Sequence, residues 1–181
     1  MSKNLVYFDL ETQYSAQEVG GWQNTHKMKL AIGVTYSTAR GSYEIYTEEN
    51  VQALIQELQR ADCVIGFNIL KFDYAVLAPY SFFDFSQIPS LDLLIDIETA
   101  IGRRISLDAV AEASIGVGKT ADGLEALRWW KEGRLAEIAE YCCYDVKTTR
   151  YVHEFGAREG KVHYVDSRTR LKRDVPVQWS V

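Results

Sequence analysis

The chain has 181 residues, 47% of them hydrophobic and 25% charged, the composition of one ordinary globular domain with a closed core, which excludes a disordered or low-complexity chain. Its formal net charge of -5 argues against gripping nucleic acid by an overall positive field, yet leaves a nucleic-acid enzyme open, because a carboxylate site adds negative charge that bound cations offset. No run approaches the roughly 20 apolar residues of a membrane span, and Cys63, Cys142 and Cys143 show no CxxC spacing, so the expectation is a cytoplasmic, thiol-reduced protein with no zinc pattern, no secretory signal and no membrane partner.

In chain order, Asn4 to Leu10 and Lys29 to Ser37 are rich in β-branched and aromatic residues and Ser42 to Thr47 alternates, which predicts a three-strand meander. Between Glu48 and Arg60, Val51, Leu54, Ile55 and Leu58 fall at helical spacing behind Thr47 as N-cap. A short buried strand, Cys63 to Phe67, follows. Helices are then expected at Phe72–Ala78, Leu91–Ile101, Leu107–Ser114, Gly123–Lys131 and Leu135–Phe155, separated by Gly, Pro or Ser loops. The tail, Lys161 to Val165 and Leu171 to Val175 around a polar turn, suits a β-hairpin. Strands first and helices later, with one helical crossover, predict an α/β sandwich around a mixed sheet. The expectation is one domain over residues 1–181, with a core at about 4–155 and a C-terminal hairpin at about 161–176. The aromatics of SFFDF and the Trp129, Trp130 pair read as core.

Three segments carry carboxylates. Asp9 and Glu11 end the apolar run LVYF two residues apart, so on a strand they share a face; such a pair is either a solvated strand end or a cation site. In FNILKFD, Asp73 and Asn68 follow an apolar strand and also suit simple turn and capping duties. In YCCYD, Tyr141 lies four residues before Asp145, on the same helix face. An Asp inside a helix is unfavourable by propensity, and pairing with Lys147 or Arg150 is the plain alternative to a functional role.

Taken together and in this order, FDLET, FNILKFD and YCCYD resemble the DEDD superfamily of 3′→5′ exonucleases, over about Asn4 to His153. The resemblance implies a ribonuclease H-like fold, with Asp9, Glu11, Asp73 and Asp145 holding two divalent cations, Mg²⁺ or Mn²⁺, as all-oxygen ligands suit. Two branches of the superfamily differ in the third motif, one having Tyr four residues before the last Asp and the other His five before it. Here those positions hold Tyr141 and Glu140, so the chain is similar to the tyrosine branch, DEDDy, and most similar to proofreading domains of family B DNA polymerases and their stand-alone relatives. The implied reaction is hydrolysis at the 3′ end of single-stranded DNA or RNA, DNA favoured, releasing nucleoside monophosphates. Tyr141 would orient the attacking water, because a phenol near pKa 10 is a poor base at neutral pH. The resemblance further implies that Leu10, Thr12, Asn68 and Phe72 line the 3′-terminal nucleotide pocket, and a helicase, polymerase or repair partner on another chain is compatible with it. Arg103, Arg104, Lys119 and Arg128, with Lys161, Arg168, Arg170, Lys172 and Arg173 in the tail, are candidates for phosphate contact.

Two other readings compete. SIGVGKT resembles the end of a phosphate-binding loop and LDLLIDIE its usual acidic companion, but Ala113 stands where the loop needs its first Gly, and SLDAVAEA reads as helix where a strand belongs. A non-catalytic nucleic-acid-binding or scaffolding domain of the same fold is the other; a degenerate site of that kind would take up no stoichiometric Mn²⁺.

Overall fold

The computed structural model describes residues 3–118 and 123–181. Its centre is a five-stranded mixed sheet in the spatial order β3-β2-β1-β4-β5. Strands β1 (Leu5–Thr12), β2 (Leu30–Ser37) and β3 (Ser42–Tyr46) form the antiparallel meander. Helix α1 (Val51–Arg60) crosses over to β4 (Cys63–Gly66), which runs parallel to β1. The α/β architecture expected from the order of the elements, helices on both faces of a mixed sheet, is the one observed.

Both faces of β1 are covered, so its apolar residues partition by parity. Val6, Phe8 and Leu10 join Leu54, Ile55 and Leu58 of α1 in one core cluster. Tyr7 points the other way, into a cluster with Ile32, Val34 and Ile65 and with Ile138, Cys142 and Val146 of the long helix α6 (Leu135–Glu159). The buried face of α1 is Val51, Leu54, Ile55 and Leu58, each contributing roughly 1.5–3 kcal/mol of transfer free energy as an upper estimate. Thr47 is the N-cap of this segment as its sequence predicts, and Asn50 closes the capping box, its Oδ1 accepting from Thr47 N–H at 2.7 Å. The first turn, Glu48–Asn50, is 3₁₀, so the α-helix itself begins at Val51.

Two of the predicted helices are corrected. Leu91–Ile101 is not one helix: Ser90–Asp92 forms strand β5, parallel to β4, and α3 (Leu93–Ile101) starts only after it. The cause is Asp92, whose carboxylate caps α3 by accepting from Leu94 N–H at 3.1 Å and Ile95 N–H at 3.4 Å. Phe72–Ala78 is likewise divided, into a π-helical turn at Ile69–Asp73 and a short α2 (Tyr74–Leu77).

Helix α4 (Leu107–Ile115) is capped by Ser106 and ends at Gly116, in the left-handed region at φ 71°. SIGVGKT therefore begins inside a helix and does not follow a strand, which removes the phosphate-loop reading; its Lys119 and Thr120 lie outside the described residues. Helix α5 (Gly123–Lys131) precedes α6, which runs past Phe155 to Gly160 at φ 68°. A hairpin of β6 (Lys161–Val165) and β7 (Lys172–Pro176) closes the fold against α4 and α6. Within SFFDF only Phe85 is buried; Phe83 packs at the edge of the core, and Phe82 is fully exposed, against the expectation. Trp129 and Trp130 pack partly buried against the core on the α6 side. Among the described residues, no helix is long and apolar enough to cross a membrane.

Candidate active site

Asp9 and Glu11 share the face of β1 that α6 crosses, and they lie beyond Tyr7, the last residue of β1 in register with β4. The register with β2 shifts between Glu11 and Thr12, the kind of irregularity that re-aims side chains at a strand end. On α6, Ile138, Cys142 and Val146 pack into the core, which turns Tyr141 and Asp145 along the rim of that face. Cys142 marks the crossing point, its thiol at 3.4 Å from the Asp9 carbonyl and 3.5 Å from Asp9 Oδ2.

The outcome is a triad. Carboxylate oxygens of Asp9, Glu11 and Asp145 all lie within 4.8 Å of one another. Neither Lys147 nor Arg150 claims Asp145: Arg150 pairs with Glu154 at 2.7 Å and lies over the Tyr36 ring. Tyr141 stands one helical turn before Asp145 on α6, its hydroxyl close enough to influence that carboxylate, and its ring meets Trp129 edge-on at 6.3 Å.

Asp73 is outside that triad but lines the same cleft as Asp9 and Glu11. It is 2% exposed, and its Oδ1 accepts from Leu10 N–H at 3.1 Å, where β1 has run beyond its pairing with β4. The turn that delivers it is constrained at three points. A Cβ on Gly66 would meet Ile69 Cγ2 at 2.2 Å and the Phe8 carbonyl at 2.9 Å. Asn68 sits in the left-handed region at φ 72°, which asparagine tolerates better than most residues. Asp92 accepts from Asn68 N–H at 2.8 Å and Leu70 N–H at 3.0 Å. Asp92 is the positioning residue that sequence reasoning missed; its place before the apolar run LLI is an N-cap signal that could have revealed the capping half of its role.

Burial and mutual repulsion dominate the electrostatics. Asp9 is pushed well above the carboxylate range by burial, then by the charges of Asp73, Asp145 and Glu11. Glu11 is raised in the same way, by burial and then by Asp145 and Asp73. Burial lifts Asp73 to about 8 and Asp145 to about 7, the latter against the lowering influence of the nearby Tyr141 hydroxyl. The Tyr141 hydroxyl is raised by burial and by the neighbouring carboxylates, so it stays protonated. Closely spaced, partly buried carboxylates held away from their ordinary charge state are what a divalent cation would stabilise, and their hard oxygens fit one. Asp9, Glu11 and Asp145 could hold such a cation.

The remaining expected contacts divide. Leu10, Thr12 and Phe72 line a cleft of about 630 Å³ with Asp9, Glu11 and Asp73, and neither Tyr141 nor Asp145 is among its lining residues. Asn68 does not line it; its Oδ1 is buried and unpartnered among the described residues. The basic candidates stand elsewhere. Arg103 pairs with Asp166 at 3.1 Å and covers Tyr164, Arg104 lies 3.7 Å from Glu98, Arg128 pairs with Glu125 and Glu132, and Lys161 with Asp174. Arg168, Arg170, Lys172 and Arg173 are exposed on the hairpin, and Lys119 lies outside the described residues.

No curated protein matches the chain in sequence. Among solved structures, it resembles the family B DNA polymerase from the hyperthermophilic archaeon Pyrobaculum calidifontis at 16% identity and a TM-score of 0.66, over 86% of this chain and 25% of the polymerase chain. The chain thus spans about a quarter of that polymerase, and at this identity the likeness speaks for the fold alone. The model of the RNase_H superfamily matches residues 6–156, which contain all of the five-stranded sheet but Leu5, all four carboxylates and most of α6. By that match the chain belongs to the RNase_H superfamily, and its fold is the ribonuclease H-like one.

Proposed function

We propose that this chain is a metal-dependent 3′→5′ exonuclease of the tyrosine branch, DEDDy, that removes nucleoside monophosphates from single-stranded nucleic acid, DNA in preference to RNA. The observation that carries this reading is the convergence of Asp9, Glu11 and Asp145 within 4.8 Å, with Tyr141 one helical turn before Asp145 on α6. β1 and α6 bring these residues together across one core, so we treat the site and its scaffold as a single catalytic domain.

Asp9, Glu11 and Asp145 are the proposed ligands, and Asp73, fixed by the Leu10 N–H, completes the oxygen set. Mg²⁺ or Mn²⁺ ions, two in the proposed site, would supply Lewis acidity towards water and the leaving 3′-oxygen. The Tyr141 hydroxyl, kept protonated by burial and by the carboxylates, aligns the attacking water and does not deprotonate it. Leu10, Thr12 and Phe72 hold the terminal nucleotide against the carboxylates. The free thiols of Cys63, Cys142 and Cys143 support a reducing, cytoplasmic setting, and the end to be trimmed would come from a helicase, polymerase or repair partner on another chain.

The test is incubation of the pure protein with 5′-end-labelled single-stranded DNA and RNA in Mg²⁺, Mn²⁺ or EDTA. A ladder that shortens from the 3′ end only with metal, and faster on DNA, is the expected result. Internal cuts, or shortening in EDTA, would overturn the reading.

A further inference from the structure

The segment between β1 and β2 builds a wall of the cleft that none of the carboxylate motifs includes. It turns at Gly20 and Gly21, with φ of 85° and 119°, and is tied down by Asn24 Nδ2 donating to the Val19 carbonyl at 2.9 Å and by a 2.6 Å ion pair from Lys131 to Glu18. That pair joins the segment to α5, whose Leu124 and Leu127 form part of the same cleft. At its edge stands Trp22, on the first residue of a 3₁₀ segment, Trp22–Lys27. Its side chain is 71% exposed, although indole is among the side chains with most to gain from burial. It faces Phe72 edge-on, with ring centroids 6.2 Å apart, and Phe72 adjoins Asp73.

The cleft's chemistry narrows what it takes. Among the described residues lining it there is no Lys or Arg, and its charged members are Asp9, Glu11 and Asp73. Among the described residues, a polynucleotide entering there finds aromatic and aliphatic walls and no cation for its phosphates. Its bases, which stack on aromatic faces whatever their identity, are the groups the walls can hold.

On the reading of the site as an exonuclease, we propose that Trp22 is a stacking platform for the unpaired base next to the 3′-terminal one, with Phe72 beside the terminal nucleotide and Trp22 one ring further out. A base still paired in a duplex cannot lay its face on this indole, so Trp22 selects ends with at least two unpaired nucleotides. It acts by binding and leaves the hydrolytic step alone.

Binding tests this directly. Labelled single-stranded oligothymidylate with a phosphorothioate at the 3′-terminal linkage, to resist hydrolysis, is titrated in Mg²⁺ with wild-type protein, Trp22→Phe and Trp22→Ala, and fluorescence anisotropy is read. A second oligonucleotide is abasic only at the position next to the 3′ end. Trp22→Ala is expected to weaken binding of the intact oligonucleotide by roughly 5- to 100-fold, as loss of one stacked base does, and Trp22→Phe by much less. On the abasic oligonucleotide all three proteins should bind alike. Equal binding of the intact oligonucleotide by wild type and Trp22→Ala, or an equal loss on both oligonucleotides, overturns the proposal. The outcomes separate from the exonuclease reading: base-dependent binding without 3′ shortening leaves Trp22 in place and removes the activity, whereas shortening with no dependence on Trp22 does the reverse.

Discussion

Asp73 and Asp145 sit at about 8 and about 7 instead of the ordinary 3.8, so without a cation the folded protein takes up protons that the unfolded chain releases. The sign follows from linkage: a carboxyl whose folded pKa is raised contributes stability that is complete below about pH 4 and lost as the pH rises through 7 and 8. In EDTA the melting temperature should therefore fall between pH 5 and pH 8, and saturating Mn²⁺ should reverse the fall at pH 8. A melting temperature that rises over this range in EDTA would contradict the electrostatics described. Asp145→Asn removes the repulsion together with a proposed ligand, so at pH 8 in EDTA it should melt no lower than wild type while nuclease activity falls on the order of 1000-fold. Tyr141→Phe deletes one hydrogen bond and no proposed ligand; a rate loss of about tenfold with unchanged Mn²⁺ affinity is expected from parallel kinetics and calorimetry.

At the scale of elements, the turn between β4 and α2 determines where Asp73 points, and Asp92 determines that turn. One carboxylate accepts from the N–H groups of Asn68, Leu70, Leu94 and Ile95, coupling the turn to the start of α3. Asp92→Ala should cost about 2–4 kcal/mol, from a lost cap and orphaned donors, measured by urea denaturation, and should lower activity although Asp92 does not line the cleft. A variant of wild-type stability would remove Asp92 from this role. These elements also show what the sequence made legible. β1, β2, β3, α1 and α6 carry clear periodicity and emerged within a few residues of their observed bounds, and with them Asp9, Glu11, Tyr141 and Asp145. β5 was hidden because three residues hold no period, and its Leu91 merged with the apolar run of α3. The π-turn depends on the contacts of Asp92 with backbone far along the chain, which no local pattern encodes. Asn68 fits a turn because of its left-handed backbone, not because its side chain reaches the cleft. The role of Trp22 depends on which wall the β1–β2 segment builds, and that is a tertiary fact.

Across the whole molecule, the C-terminal segment braces the site from behind. Val177 N–H donates to the Gly160 carbonyl at 3.0 Å, and the Trp179 ring fills the space over Gly156, where a Cβ would meet it at 2.3 Å. The Trp179 indole donates to Asp96 at 3.0 Å, and its carbonyl bonds to His153 Nε2 at 2.9 Å. The opposite His153 nitrogen meets the Tyr7 hydroxyl at 2.9 Å, two residues along β1 from Asp9. Burial holds His153 below its ordinary pKa, in the neutral form that can bridge both partners. Trp179→Ala should destabilise the fold by about 3–5 kcal/mol, and Gly156→Ala by about 1–3 kcal/mol through overpacking against the indole, both read from urea midpoints at constant slope. The central claim concerns the carboxylates that this frame supports, and one comparison tests it most directly: the initial rate at which wild type and Asp9→Ala, purified side by side and both folded by circular dichroism, shorten 5′-labelled single-stranded DNA in Mn²⁺. The account predicts 3′-end shortening by the wild type and none measurable by the variant; equal rates would contradict it.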